Sequence, residues 1–430
     1  MFEKLYLLLL IKTLLLVVAH CQEQQQQEVD DDGFYTLIIP PNKDDFPTED
    51  DISKFQQSLR QFSGALFSKV IKQTKKSQNI FFSPTSISHG LAMVNSGAKG
   101  NTSEEIKRVM RVGRSTPNSQ INALFRNVTS DKFGDGKKDK VVTIMASRSY
   151  FQSSYKVYRN YTDVLEESFY SGMDKIDFSK SGPAAKKVNQ WVEDQTEGLI
   201  KNLISPDLFT PLTRFVLVNA LYFKASWSSP FMQYPDKKKF KTPSGPVEVP
   251  YLKSHRGRYK MKVEVDHMSV AIPYKDEETY FIIMMPKSEE AMKNISTQGK
   301  LESYFRSLKK KLEDWKVRQM NLYMPEFTVE KKMDVKKILK TMGCRSLFSR
   351  EDADLSGISK EFVYVTDFVH KARVTVNKDG TEAAAASGII GGARSLYIAQ
   401  DVVINKPFIY AIYEKGNILF LGRMVNPSVK

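Results

Sequence analysis

Apolar residues return every three or four positions between Asp51 and Thr74 (Phe55, Leu59, Phe62, Ala65, Leu66, Val70), which predicts an amphipathic helix capped by Asp51 or Ser53. The next run, Asn79-Ile-Phe-Phe-Ser83-Pro84, leads into a more apolar helix through Ala92 and Val94, with Pro84 in its first turn, where a missing N–H costs nothing. Asn101-Thr-Ser-Glu-Glu-Ile predicts a capping box ahead of a short helix ending near Met110. Helical spacing recurs over Ser119–Val128, Tyr155–Phe169 and Lys180–Thr196, and the run Lys140–Gln152 between the first two reads as a strand. Phe215–Phe223 is almost continuously apolar and rich in β-formers, the pattern of a central strand covered on both faces.

After Phe223 the strand signals dominate: Met268–Ala271, Tyr280–Met285, Gln319–Tyr323, Phe362–Phe368, His370–Val376, Val402–Ile404, Phe408–Tyr413 and Ile418–Val425. Two amphipathic helices, Leu301–Leu312 and Val335–Met342, interrupt them. A helix-rich first half and a strand-rich second half, with no flexible linker between, predict one α+β domain over residues 52–430.

The N-terminal 51 residues follow other rules. Leu5–Ala19 is apolar apart from Lys12 and Thr13 and ends in Ala19-His20-Cys21, which predicts a secretory signal over residues 1–21. Residues 22–51 then carry ten acids against Lys43, so this stretch is expected to be a disordered acidic tail. Residues 52–430 carry a surplus of 23 positive charges, which favours polyanions such as sulfated glycosaminoglycans. The extracellular destination and the lack of any nucleic-acid motif argue against nucleic acid, and no apolar run reaches the roughly 20 residues of a membrane span. Tyr35, beside Asp30–Asp32, is a candidate for sulfation. Signal removal leaves Cys344 as the one cysteine, read as a small buried residue. Asn-x-Ser/Thr triplets at Asn101, Asn127, Asn160 and Asn294 are candidate glycan sites.

Catalytic constellations are missing. The histidines of the mature chain (His89, His255, His267, His370) have no zinc spacing, and no nucleophile elbow, phosphate loop or dinucleotide fingerprint follows a strand. No enzyme activity, metal or cofactor is expected.

The most unusual segment runs from Lys378-Asp-Gly-Thr through four alanines and Ser-Gly-Ile-Ile-Gly-Gly-Ala to Arg394-Ser395. Its small residues suit either a helix or a buried strand, and it ends on a basic residue, the makings of a bait that moves.

Several motifs then agree: Asn79-Ile-Phe-Phe-Ser-Pro-Thr-Ser-Ile-Ser, Val218-Asn-Ala-Leu-Tyr-Phe-Lys-Ala-Ser-Trp227, Ala353-Asp-Leu-Ser-Gly-Ile-Ser359, Val369-His-Lys-Ala, and Asn405-Lys-Pro-Phe408 followed by Phe420-Leu-Gly-Arg423. In order and content they resemble the serpins over residues 52–430. The resemblance implies an α+β domain of three β-sheets and about nine helices, with an exposed reactive loop over about 378–400 and suicide inhibition of a protease. It implies that Ser83, Ser86, Asn219 and His370 lie behind the main sheet where strands part, and that Trp227 lies near the top, where the loop enters. Taken alone, His370 reads as a satisfied structural histidine and Trp227 as core.

Inserted as a strand, the hinge would alternate faces, with Thr381, Ala383 and Ala385 on one side and Glu382, Ala384 and Ala386 on the other. Small residues on the entering face fit an inhibitory member, since bulk or charge there would block a packed sheet. Counting fourteen residues from the hinge glycine Gly380, as the family does, puts the scissile bond at Arg394-Ser395, similar to antithrombin-type sites and suited to a trypsin-like protease held as a covalent acyl complex. A slipped register would make Leu396 or Tyr397 the bait. Lys378 stands where relatives carry an acid and Glu326 where they carry a base, so a charge-reversed pair Lys378–Glu326 is expected at the loop base. The resemblance also suggests a monomer, secreted into an invertebrate haemolymph cascade of clotting, prophenoloxidase (melanization) or Toll-type immunity. A non-inhibitory carrier is the alternative. Candidate polyanion patches are Lys237–Lys239 with Lys241, then Arg256, Arg258, Lys260 and Lys262, then Arg306 with Lys309–Lys311.

Overall fold

The structure, a computed structural model, describes residues 47–129, 141–381 and 399–429. The first helix, α1 (Glu49–Gln73), starts two residues before the expected cap. Thr48 is its N-cap, taking the Asp51 N–H on its hydroxyl while the Asp51 carboxylate takes the Thr48 N–H. Asp51 is therefore the reciprocal half of a capping box, and Ser53 lies inside the helix. Glu49, Asp50 and Asp51 place negative charge at the positive end of the helix dipole.

Nine further α-helices occur among the described residues: α2 (Pro84–Asn95), α3 (Gly100–Met110), α4 (Asn118–Thr129), α5 (Arg159–Phe169), α6 (Ser181–Gln195), α7 (Glu289–Ile295), α8 (Gln298–Arg306), α9 (Leu308–Asp314) and α10 (Val335–Met342). Three differ from the sequence pattern. Helix α3 begins at Gly100 after Lys99 with no side-chain cap, so Asn101 does not cap and instead donates to Glu105 at 3.4 Å. Residues 155–158 stay outside α5. Leu301–Leu312 is two helices, α8 and α9, meeting at Ser307, whose hydroxyl donates back to the Ser303 and Tyr304 carbonyls.

Two large sheets and one small one organise the strands. The nine-stranded sheet runs β1 (Ile80–Phe82), β17 (Asn417–Met424), β16 (Phe408–Glu414), β10 (Thr279–Pro286), β9 (His267–Pro273), β8 (Tyr251–Val263), β11 (Lys316–Pro325) and β15 (Gln400–Val403), with β5 (Met232–Gln233) also paired to β8. A hairpin of β6 (Lys238–Thr242) and β7 (Gly245–Val249) stands alone. The six-stranded sheet runs β12 (Phe327–Asp334), β13 (Val365–Val376), β14 (Gly380–Thr381), β4 (Phe215–Ser226), β2 (Val141–Gln152) and β3 (Gly172–Ile176).

Strand β4 is central, as its unbroken apolar run predicts. Phe215 and Leu217 face the helical core under the sheet, where α2 packs. Val216, Val218 and Ala220 face α6 through Ala184, Ala185, Val188 and Val192. Its far end, Phe223 and Ala225, packs between the two large sheets with Trp227, Tyr274 and Phe281. Burying both faces of a strand this apolar is worth about 1.5–3 kcal/mol per large side chain.

Candidate functional site

Strands β4 and β13 are parallel neighbours from Phe215↔Val365 to Leu221↔Ala372. Beyond that point they diverge, and β14 fills the gap: Thr381 pairs with Val376 on one side, Gly380 and Thr381 with Ser226 and Ala225 on the other. The chain thus leaves β13, turns at Lys378-Asp379 and starts back down between the two strands.

Backbone chemistry makes that turn rigid. The Asn377 carboxamide oxygen accepts from the N–H groups of Asp379 and Gly380, and the Asn377 N–H donates to the Gly380 carbonyl. The three carbonyls of residues 377, 378 and 379 are then taken in turn. The Trp227 indole donates to Asn377 at 2.9 Å, the Phe231 N–H to Lys378 at 3.0 Å and the Trp227 N–H to Asp379 at 3.1 Å. Gly380 has φ +155°, and a Cβ there would lie 2.0 Å from the Ala225 carbonyl oxygen. Only glycine lets the backbone pass this close to β4. Thr381 is fully buried, its hydroxyl 2.7 Å from that of Tyr274, whose ring stacks on Trp227 at 4.7 Å. Burial pushes the Tyr274 phenol far up, so it is a neutral partner.

Lower in the seam the polar residues singled out from the sequence meet. Asn219 and His370 are register partners on β4 and β13. The Ser83 N–H donates to His370 Nε2 at 3.0 Å, which leaves the ring proton on Nδ1, 3.0 Å from Asn219 Oδ1. The Asn219 amide donates to the Ser86 carbonyl at 2.9 Å and to Ser147 Oγ at 2.8 Å. Ser83 caps α2, accepting from the Ser86 N–H. All four side chains are buried, and burial drives the His370 pKa down to about 3, so the ring is neutral.

Three contributors were not singled out by sequence. Ser147 lies on β2 opposite Asn219, a small polar residue inside the run Lys140–Gln152. Asn377 opens an Asn-Lys-Asp-Gly turn and has a turn residue's signature. Tyr274 has no local signal.

Lys378 and Glu326 form no ion pair among the described residues. The loop base rests on the Trp227 and Phe231 hydrogen bonds, while the Glu326 N–H donates to the Pro250 carbonyl. Glu382, Ala383, Ala384, Ala385, Ala386, Arg394 and Ser395 lie outside the described residues, as do residues 1–46. Asn101, Asn127, Asn160 and Asn294 are all exposed on helices α3, α4, α5 and α7. Cys344 is buried and its thiol is pushed up by desolvation. Among the described residues no cluster of three or more His, Cys, Asp or Glu side chains could hold a metal ion, and no helix is long and apolar enough to cross a membrane.

Comparison with known proteins agrees with this architecture. The Serpin (serine protease inhibitor) family model matches residues 57–427. The chain belongs to the serpin family. Mouse neuroserpin is 30% identical over 378 residues, covering 83% of this chain and 88% of the relative. The crystal structure of Serpin48 from the insect Tenebrio molitor superposes with a TM-score of 0.78 at 28% identity, over 88% of this chain and all of the other. Human thyroxine-binding globulin with thyroxine bound superposes with a TM-score of 0.77 at 26% identity, over 87% and 99%. Serpins as a family are protease inhibitors rather than proteases, yet the similar structures include a thyroxine-binding globulin. The α+β fold of three sheets is that of the family, with ten helices among the described residues where about nine were expected.

Proposed function

We propose that this serpin is a secreted inhibitor that traps trypsin-like serine proteases at Arg394-Ser395. The protease serine would attack the Arg394 carbonyl, forming an ester with Arg394 and releasing Ser395 as a new amino terminus. The freed segment from Gly380 through Ala386 would then zip down the seam between β4 and β13, carrying the tethered protease with it. One observation carries this reading: β14 already lies antiparallel between the two strands, Thr381 pairing with both and Gly380 with β4, at the top of a seam closed below by parallel β4–β13 pairing. Thr381 occupies an inward position without strain, and continuing its alternation puts Ala383 and Ala385 on the same face, where small residues fit.

The experiment is incubation of the purified protein with trypsin. An SDS-stable complex and a released fragment beginning at Ser395 are expected, and Arg394→Ala should abolish both. Clean cleavage without a complex would overturn the inhibitory reading in favour of a carrier or other non-inhibitory serpin, the class to which thyroxine-binding globulin points.

The signal-like segment 1–21 and the four exposed sequons support secretion and glycosylation. An extracellular proteolytic cascade is the setting this implies, with clotting, melanization or Toll-type immunity as candidates. A sulfated glycosaminoglycan is a second partner. Two sequence patches are joined in space, because the Lys260 ammonium on β8 donates to the Leu312 carbonyl of α9, next to Lys309–Lys311. Acceleration of inhibition by heparin that disappears in high salt is the expected sign. We take the protein to act as a monomer, which light scattering would check.

A further inference from the structure

One face of the nine-stranded sheet carries a cationic cluster that makes no ion pair among the described residues; the Asp401 carboxylate, on the same face of β15, is taken by the Asn321 amide. Met232, Lys253, Tyr323 and Val403 are register partners across four adjacent strands, β5, β8, β11 and β15. Directly opposed residues point to one side of a sheet, so the four form a single row. The Tyr323 ring is the centre of a cage: Lys253 Nζ lies 5.3 Å from its centroid and Lys238 Nζ 5.0 Å. Lys238 is also 4.2 Å from the Tyr234 ring, which meets Tyr323 edge-on at 5.8 Å. Both lysines are half-exposed, and among the described residues neither makes an ion pair. Met232, at the end of the row, is 56% exposed.

Two ammonium groups held over one ring repel each other, and the ring faces offset only part of that. An incoming carboxylate would meet two preordered cations and an apolar side chain in one patch.

Position selects the occupant. The row ends at Val403 on β15, and eight peptide steps separate Val403 from Ser395, a length that spans at most about 29 Å. A protease bound at Arg394 therefore has its own surface within reach of this face. We infer that the Lys238–Lys253–Tyr323 cluster is a secondary docking site for an acidic side chain on the target protease, deciding which Arg-specific enzymes are captured quickly. This rests on the reading of Arg394-Ser395 as the reactive bond and adds a determinant outside the loop.

The test measures binding of an inactive anionic trypsin, its catalytic serine replaced by alanine, to the full-length inhibitor and three variants at low and high salt. Lys238→Gln with Lys253→Gln should weaken binding roughly three- to tenfold at low salt, an effect that shrinks in high salt. Lys75→Gln with Lys76→Gln, a loss of the same charge just past the end of α1 and outside the row, should change it less than twofold. Arg394→Ala should weaken binding in either salt. Loss on Arg394→Ala but none in the Lys238/Lys253 variant overturns the docking site and spares the reactive bond. Loss in the Lys238/Lys253 variant with none on Arg394→Ala overturns the reactive bond instead. Equal loss in both lysine variants reduces the effect to net charge and overturns the site. So does a loss that appears only when heparin is present, which would assign the lysines to a polysaccharide. Thermal melting of each variant, and repetition with Lys238→Met and Lys253→Met, which keep the apolar stems, exclude misfolding as the cause.

Discussion

His370 donates its Nδ1–H to Asn219 Oδ1 at 3.0 Å across the two parallel strands β13 and β4. Ser83 and Ser147 complete the network from α2 and β2, so every polar group at this point of the seam has a partner. Loop insertion would require this bond to break, because a new strand between β4 and β13 moves its partners apart by about 4.8 Å.

Asn219→Ala should therefore loosen the closed sheet. It strands the His370 N–H in the interior and takes a second donor from the Ser86 carbonyl and Ser147 Oγ; the orphaned donor alone costs about 1–3 kcal/mol. The expected result is a lower denaturant midpoint with an unchanged slope. An unaltered midpoint would mean that water replaces the amide and that the seam is held by backbone pairing alone.

Thr381 is the described inward residue of the hinge, buried against Tyr274. Thr381→Arg should expel β14 from the sheet, because a guanidinium has no acidic partner there. Cleavage by trypsin should persist while the fraction trapped falls several-fold, read as a raised stoichiometry of inhibition. Thr381→Ser, which keeps the hydroxyl, should stay close to the parent protein.

Trp227 supplies two of the three donors that hold the turn at residues 377–379. Trp227→Phe removes the indole donor and leaves the Asn377 carbonyl unpaired, at a cost of about 1–3 kcal/mol. A melting temperature lower by a few degrees is expected, with faster proteolysis at the loop base by an enzyme of broad specificity. Equal proteolysis rates would show that the Phe231 bond and the Asn377 turn suffice.

Acidity should destabilise the fold in a defined window. Burial lowers His89 to about 4 and His370 to about 3, against an ordinary value of 6.5. As pH falls below 6.5 the unfolded chain binds these protons and the folded one does not, so stability is lost toward pH 4. Asp367 works in the opposite direction: burial raises it from 3.8 to about 6, so its folded form holds a proton between those values and its contribution is lost as pH rises through 6. Asp367→Asn should thus melt higher than the parent at pH 7 and converge with it near pH 4, giving a steeper fall. Parallel melting curves for the two proteins would refute the assignment.

Much of the fold could be read from the order of residues. The apolar run at Phe215–Phe223 is a central strand because, Asn219 apart, it holds only side chains that gain by leaving water. Strand β8, at thirteen residues the longest among the described residues, carries no such signal. Its lysines and arginines sit on the solvent side, and Arg256, at φ +53°, resets the alternation part-way, so the period of two breaks in the sequence although the ladder continues. Strand β12 lacks one for a related reason: Glu330, Lys331 and Lys332 interrupt the apolar alternation, and at the sheet edge they remain half-exposed or exposed beside β13. Helix α7, of seven residues, is too short to display a helical period in the sequence.

The residues of the candidate site divide in the same way. Short-range order determined the hinge glycine, the small residues after it, the Asn-Lys-Asp-Gly turn and the buried character of β4, because each depends on local backbone freedom or on the polarity of a few neighbouring side chains. The tertiary structure alone decided that His370 meets Asn219, that Trp227 and Phe231 hold the turn in place of a Lys378–Glu326 ion pair, and that Lys238 and Lys253 share one tyrosine ring. Those pairings join segments that lie up to about 150 residues apart along the chain. Their geometry follows from strand register, which packing of the whole sheet sets and no local pattern encodes.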